Sequence, residues 1–93
     1  MNKWTNFIIK SKIMDKKEVQ KRVKNVVAKV LKINEAEISD NANFIFDLGA
    51  GSLQSVQLIA AFEEEFDIEM DEDKALGVQT ISDSVDFIAS YLE

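Results

Sequence analysis

A chain of 93 residues is enough for one small domain, and a hydrophobic content of 46% is enough for that domain to bury a core. It has no His and no Cys, which excludes Ser–His and Cys–His nucleophiles, the usual zinc sites and any disulfide. The net charge of −6 is unevenly placed: residues 15–32 hold seven basic and two acidic residues, while residues 33–93 set one Lys against fifteen acids. So acidic a C-terminal part lacks the basic footprint that nucleic acid demands, and it favours basic protein partners.

Residues 1–13 read as an N-terminal extension to a domain over residues 14–93. Their three lysines and the run Phe7-Ile8-Ile9 superficially suggest a signal peptide, but the run is too short for an h-region and no small-residue cleavage site follows. No apolar run in the chain approaches the ~20 residues of a membrane helix. The expectation is a disordered arm, with Trp4, Phe7 and Ile8 available to pack on the domain or touch a membrane surface.

Pro is absent and Gly occurs three times, which suits a helical chain with few sharp turns. A first helix is predicted from Asp15 to Leu31. Asp15 with Glu18 makes a capping-box-like start, and Val19, Val23, Val26, Val27 and Val30 follow spacings of three and four as one buried stripe. Lys16, Lys17, Lys21, Arg22 and Lys24 fall near the solvated side, placed to pair with acids of the same domain. From Lys32 to Gly51 there is no clean period, and so long a connection requires internal packing, for which Ile38, Phe44, Ile45, Phe46 and Leu48 are candidates.

The stretch Asp47-Leu48-Gly49-Ala50-Gly51-Ser52-Leu53 reads as a glycine-bearing loop that presents Ser52 at the start of a second helix, about Ser52 to Phe66. Ser is a strong N-cap, and the two glycines allow backbone conformations that other residues resist. A nucleophile elbow requires glycines where Ala50 and Gln54 stand, and a P-loop requires Lys where Gly51 stands, so Ser52 is not a nucleophile that this chain activates for itself. A serine modified by another enzyme remains open beside a plain capping serine. At ~100° per residue, Leu58, Ile59, Phe62 and Phe66 share a core sector. Leu53, Val56 and Ala60 lie nearly opposite, with Gln57, Glu63 and Glu64. By itself that second strip fits a partner-docking face and marginal burial by a neighbouring helix equally.

Asp67-Ile68-Glu69-Met70-Asp71-Glu72-Asp73 alternates acids as calcium loops do. An EF-hand requires Gly and Glu where Glu72 and Val78 stand, so it is an acidic loop and no metal ligand set is assigned. A short third helix is predicted near Asp73–Val78, ended by Gly77. A last helix runs from a Thr80 cap to about Leu92, with Ile81, Val85, Ile88 and Leu92 as its core stripe and Phe87 and Tyr91 beside it. The fold class is therefore all-α: a small four-helix bundle of three longer helices and one short one, with a long loop between helices 1 and 2.

The motif from Asp47 to Leu53, followed by Val56, Leu58, Ala61 and Phe62-Glu63-Glu64-Glu65-Phe66, resembles the acyl carrier proteins, whose signature is D-L-G-A-D-S-L and then a helix ending in E-E-E-F. The similarity runs through Ile68-Glu69 to Val85-Asp86-Phe87-Ile88 and back to about Met14. It implies that Ser52 carries 4′-phosphopantetheine, transferred from coenzyme A by a phosphopantetheinyl transferase. The thiol that holds an acyl group as a thioester then belongs to the prosthetic group, which gives the absence of Cys a chemical meaning.

The resemblance also implies a non-catalytic, monomeric, cytoplasmic carrier for fatty-acid, polyketide or related biosynthesis. Its partners would be the transferase and acyl-transfer or synthase enzymes with basic docking patches. Its recognition surface would be Gly51, Leu53, Gln54, Val56, Gln57, Glu63 and Glu64. Gly51, Gln54 and Gln57 stand where the family typically has acids, which suggests a specialised carrier with dedicated partners; Phe46 stands where a charge is common, which leaves an exposed aromatic contact open beside inward packing. The other readings are a peptidyl or aminoacyl carrier, and an unmodified helical protein-interaction module.

Overall fold

Helix α1 (Lys16–Leu31) begins where Asp15 accepts a hydrogen bond from the Glu18 N–H at 2.9 Å, as its capping position predicts. The computed structural model describes residues 14–92, so the expected arm over residues 1–13 lies outside it. Val19, Val23, Val26 and Val27 are buried as the stripe predicts. Val30 is a correction: it is only half-buried, and Leu31 completes the buried face. Lys32 ends the helix in a left-handed conformation (φ 59°), with its own N–H and that of Ile33 both donating to the Ala28 carbonyl.

The connection to the next long helix contains one 3-10 turn, Glu35–Glu37, capped by Asn34. Ile38 and Phe44 are buried and Leu48 half-buried, as the packing requirement predicts. Ile45 and Phe46 do not pack inward: they are 58% and 86% exposed. The small residues Ala42 and Ala50 are buried in their place, because there the backbone itself lies against the bundle.

Helix α2 (Ser52–Phe66) buries Leu58, Phe62 and Phe66, with Ile59 half-buried against the same core. It ends at Asp67, left-handed at φ 54°, with the Asp67 and Ile68 N–H groups both returning to the Glu63 carbonyl. Helix α3 (Glu72–Leu76) starts one residue earlier than predicted and is shorter. Asp71 is its N-cap, accepting from the Lys74 N–H, and Gly77 its C-cap. The acids that suggested a calcium loop are thus partly consumed in ending one helix and starting the next. Helix α4 (Ile81–Leu92) opens with Thr80 Oγ1 accepting from the Asp83 N–H, and buries Ile81, Val85 and Ile88 together with Ser84 and Ala89; Leu92 is half-buried.

The four helices form the small all-α bundle expected, with α1 packed against both α4 and α2. The most completely buried large side chains, Val19, Val23 and Val27 from α1 with Ile81 and Ile88 from α4, mark its centre. Each such side chain stabilises the fold by about 1.5–3 kcal/mol. Among the described residues α1 is ion-paired to α4 by Lys16–Asp86, to α2 by Arg22–Glu65 and to the connection between α1 and α2 by Lys24–Asp40. Exposed pairs are worth ~0–1 kcal/mol each, so apolar burial holds the bundle and the charges trim it. No helix is long and apolar enough to cross a membrane among the described residues.

Candidate functional site

The approach to α2 is built on one side chain that gives no periodic signal, Asn43. Its Oδ1 accepts from the Ile45 and Phe46 N–H groups, both at 2.9 Å, and its carbonyl accepts from Asp47 and Leu48. Asp47 returns the contact, its Oδ2 accepting from the Asn43 N–H at 2.7 Å. Asn and Asp hold turns in this way because their short side chains reach their own backbone. An Asn four residues before an Asp is the only sequence trace of it.

The turn is tied to the rest of the bundle at both ends. Phe44 donates to the Gln79 carbonyl, Asn43 forms an isolated antiparallel bridge with Thr80, and Ala50 donates to the Phe44 carbonyl at 2.8 Å. Between them Gly49 has φ +74°, the left-handed region in which a side chain is strained. Gly51 is different and corrects the expectation for both glycines. Its φ of −87° and ψ of −178° are extended backbone that any residue adopts.

Gly51, not Ser52, is the N-cap of α2. Ser52 is the first helical residue and is exposed. The correction has a simple cause: Gln54 Oε1 accepts from the Gly51 N–H at 2.9 Å, half of a capping box whose other half a glycine has no side chain to make. The first turn therefore has no side-chain cap and no acid. Ser52 thus lies at the positive end of the α2 dipole, where helix N-termini in general favour an anion.

Leu53 (71% exposed) and Val56 (46% exposed) share the solvent-facing arc of α2 with Ser52, Gln57, Ala60 and Glu64. Gln54 is half-buried. Glu63 is also half-buried and its Oε2 accepts from the Met70 N–H at 2.9 Å, so this carboxylate serves the α2–α3 connection. Glu65, from the same cluster, is held by Arg22.

On the opposite side of α2 a cavity of about 180 Å³ opens between α2, α3, α4 and the Asn43 turn. Its walls include Phe44, Leu58, Phe62, Met70 and Ile88, all buried, and the exposed Ile45, Phe46 and Leu76 form the rim. Ser55, one turn along from Ser52, also lines it. Among the described residues no three of His, Cys, Asp and Glu come together to hold a metal ion.

The family model described as phosphopantetheine attachment site matches residues 21–88, from within α1 to within α4. The chain belongs to that family. It is a phosphopantetheine carrier protein, and the family bears 4′-phosphopantetheine covalently. Carrier domains of this kind are in general non-catalytic and meet a phosphopantetheinyl transferase and acyl-handling enzymes. The residues at the start of α2 are compatible with such a group: an exposed serine, a first turn without a side-chain cap, and no carboxylate in that turn to repel a phosphodiester.

Proposed function

We propose that Ser52 is the attachment residue and that this chain is an acyl carrier. The observation that carries the reading is the exposed Ser52 at the head of α2, in a first turn whose N-cap residue makes no side-chain hydrogen bond and which holds no acid. In the loading step Ser52 Oγ forms a bond to the phosphorus nearer the pantetheine. The pyrophosphate P–O bond of coenzyme A breaks, adenosine 3′,5′-bisphosphate leaves, and the hydroxyl proton passes to a base of the transferase. When bound, the group supplies a terminal thiol on which an acyl chain is held as a thioester.

The chain's own part is to hold and to present. The Asn43 turn and the α2 cap fix the direction of Ser52, while the arc of Leu53, Val56, Gln57 and Glu64 meets the enzymes that visit it, with Glu63 behind it. The cavity walled by Leu58, Phe62 and Met70 is apolar and favours an aliphatic cargo over an aminoacyl one. The carrier works as a monomer in the cytoplasm, serving a specialised fatty-acid, polyketide or related assembly line.

Intact mass after incubation with coenzyme A and the phosphopantetheinyl transferase of the same source tests the assignment. One 4′-phosphopantetheine is expected on the parent and none on Ser52→Ala. A parent that gains nothing would make the chain an unmodified interaction module, and gain on Ser52→Ala would move the attachment elsewhere.

A further inference from the structure

The cavity behind α2 is walled by Phe44, Leu58, Phe62 and Ile88, all buried and apolar, yet one residue of its wall is a serine. Ser84 is 4% exposed, and among the described residues no other polar side chain is buried to that degree. Its hydroxyl donates to the Ile81 carbonyl at 2.7 Å, within its own helix. A serine oxygen has one proton to give and two lone pairs that accept. The proton is spent and the accepting side is left over, since no described residue donates to Ser84 Oγ. Ser55, half-buried on the α2 wall, repeats the pattern by donating to the Gly51 carbonyl at 3.1 Å. Asn43 and Gln79 also line the cavity, but Asn43 is half-buried and Gln79 exposed, so water already reaches them. A bond from a bound chain to either replaces a bond to water with little net gain, whereas a bond to Ser84 is made where water is excluded.

From this we infer that the cavity selects, among aliphatic acyl chains, one that carries a hydroxyl group, whose O–H donates to Ser84 Oγ. The inference rests on the carrier reading and narrows its cargo. A saturated chain covers Ser84 with methylene groups and leaves its lone pairs dry, which costs stability. An oxo chain brings an acceptor to an acceptor. It is satisfied only if Ser84 withdraws its proton from the Ile81 carbonyl, which trades one bond for another. A hydroxylated chain adds a bond and removes none. An ammonium group also donates, but an isolated charge is far costlier to dry in an apolar cavity than a hydroxyl. An alanine at this position would close the same wall with nothing to satisfy, so the accepting oxygen is what the serine adds.

The test loads the full chain through the transferase with octanoyl-, 3-hydroxyoctanoyl-, 8-hydroxyoctanoyl- and 3-oxooctanoyl-coenzyme A. Intact mass confirms one acyl-phosphopantetheine on each, and the loaded forms are then compared by urea unfolding. At least one hydroxylated form is expected to raise the folded-to-unfolded ratio about fivefold over the octanoyl form, the factor that one net hydrogen bond supplies. The 3-oxo form is expected to match the octanoyl form. In Ser84→Ala, whose folding is checked on the unloaded protein in the same series, the advantage of the hydroxylated chain disappears. Equal ratios for the octanoyl form and both hydroxylated forms overturn the inference, as does a 3-oxo form that matches the better hydroxylated one. An advantage that survives Ser84→Ala overturns it too. In each of these cases the chain has been loaded, and the carrier reading stands. A parent that takes up no acyl-phosphopantetheine overturns the carrier reading itself.

Discussion

Gly49 and Gly51 stand two residues apart and meet opposite demands. Gly49 is left-handed, with open space where a Cβ would lie, so Gly49→Ala is penalised by the backbone alone. A loss of about 1–2 kcal/mol in urea unfolding is expected. Gly51 is extended, and a Cβ there meets Gln54 Oε1 at an ordinary 3.8 Å. Gly51→Ser completes the capping box and is expected to raise stability by a few tenths of a kcal/mol in the same measurement. In the sequence the two glycines look alike, because composition reveals that a loop needs freedom but not at which residue φ turns positive. The placement of Ser52 at the head of α2 was legible from the loop motif. Its position one residue inside the cap was not, since Gln54 reaching back to Gly51 is a matter of side-chain direction.

At the scale of elements, the helices were legible because apolar spacing carries them: α1, α2 and α4 lie within a residue or so of their predicted bounds. The loop was less so. Ile45 and Phe46 have the composition of core residues, but the Asn43 turn aims them outward and lets Ala42 and Ala50 occupy the space beneath. For the charged contact between α1 and α2, pairing with an acid was legible but the partner was not. Arg22 of α1 donates to Glu65 Oε2 at 2.6 Å and to the Glu65 carbonyl at 2.9 Å, and its guanidinium lies 5.0 Å from the centre of the Phe66 ring. Arg22→Ala is expected to lose about 1–2 kcal/mol, since a half-buried fork to both side chain and backbone exceeds an ordinary surface pair. A double-mutant cycle with Glu65→Gln should leave a residual cost in the double variant, because the carbonyl and ring contacts do not depend on that carboxylate.

For the molecule as a whole, the basic α1 against the acidic remainder sets a response to acid. Asp40 is held below its ordinary carboxylate value by the hydrogen bond from Lys24, then by one from Gln20 and by the charge of Lys24. A carboxylate whose folded pKa is depressed contributes stability that is complete above its unfolded value and is lost as pH falls through the folded one. The difference in unfolding free energy between the parent and Asp40→Asn is therefore expected to be constant above about pH 5 and to shrink below about pH 4. Urea titrations across that range check it; a difference that holds constant to the acid end would remove Asp40 from the account. That α1 pairs with the domain's own acids was readable from charge segregation, but the choice of partners was not, because Asp86, Glu65 and Asp40 come from three separate stretches of chain.

The stitching of residues 40–51 to the start of α4 has one more consequence. Ser82 donates to the Asp40 carbonyl, Ile81 to that of Ala42 and Phe44 to that of Gln79, so the segment ahead of Ser52 is held at several points by backbone bonds. Ordering a free segment removes about 1–2 kcal/mol of conformational entropy per residue. Here that disorder was surrendered when the chain folded. A partner that docks at Ser52, as proposed, therefore meets the costs of side-chain ordering, desolvation and relative motion but not that of ordering this backbone.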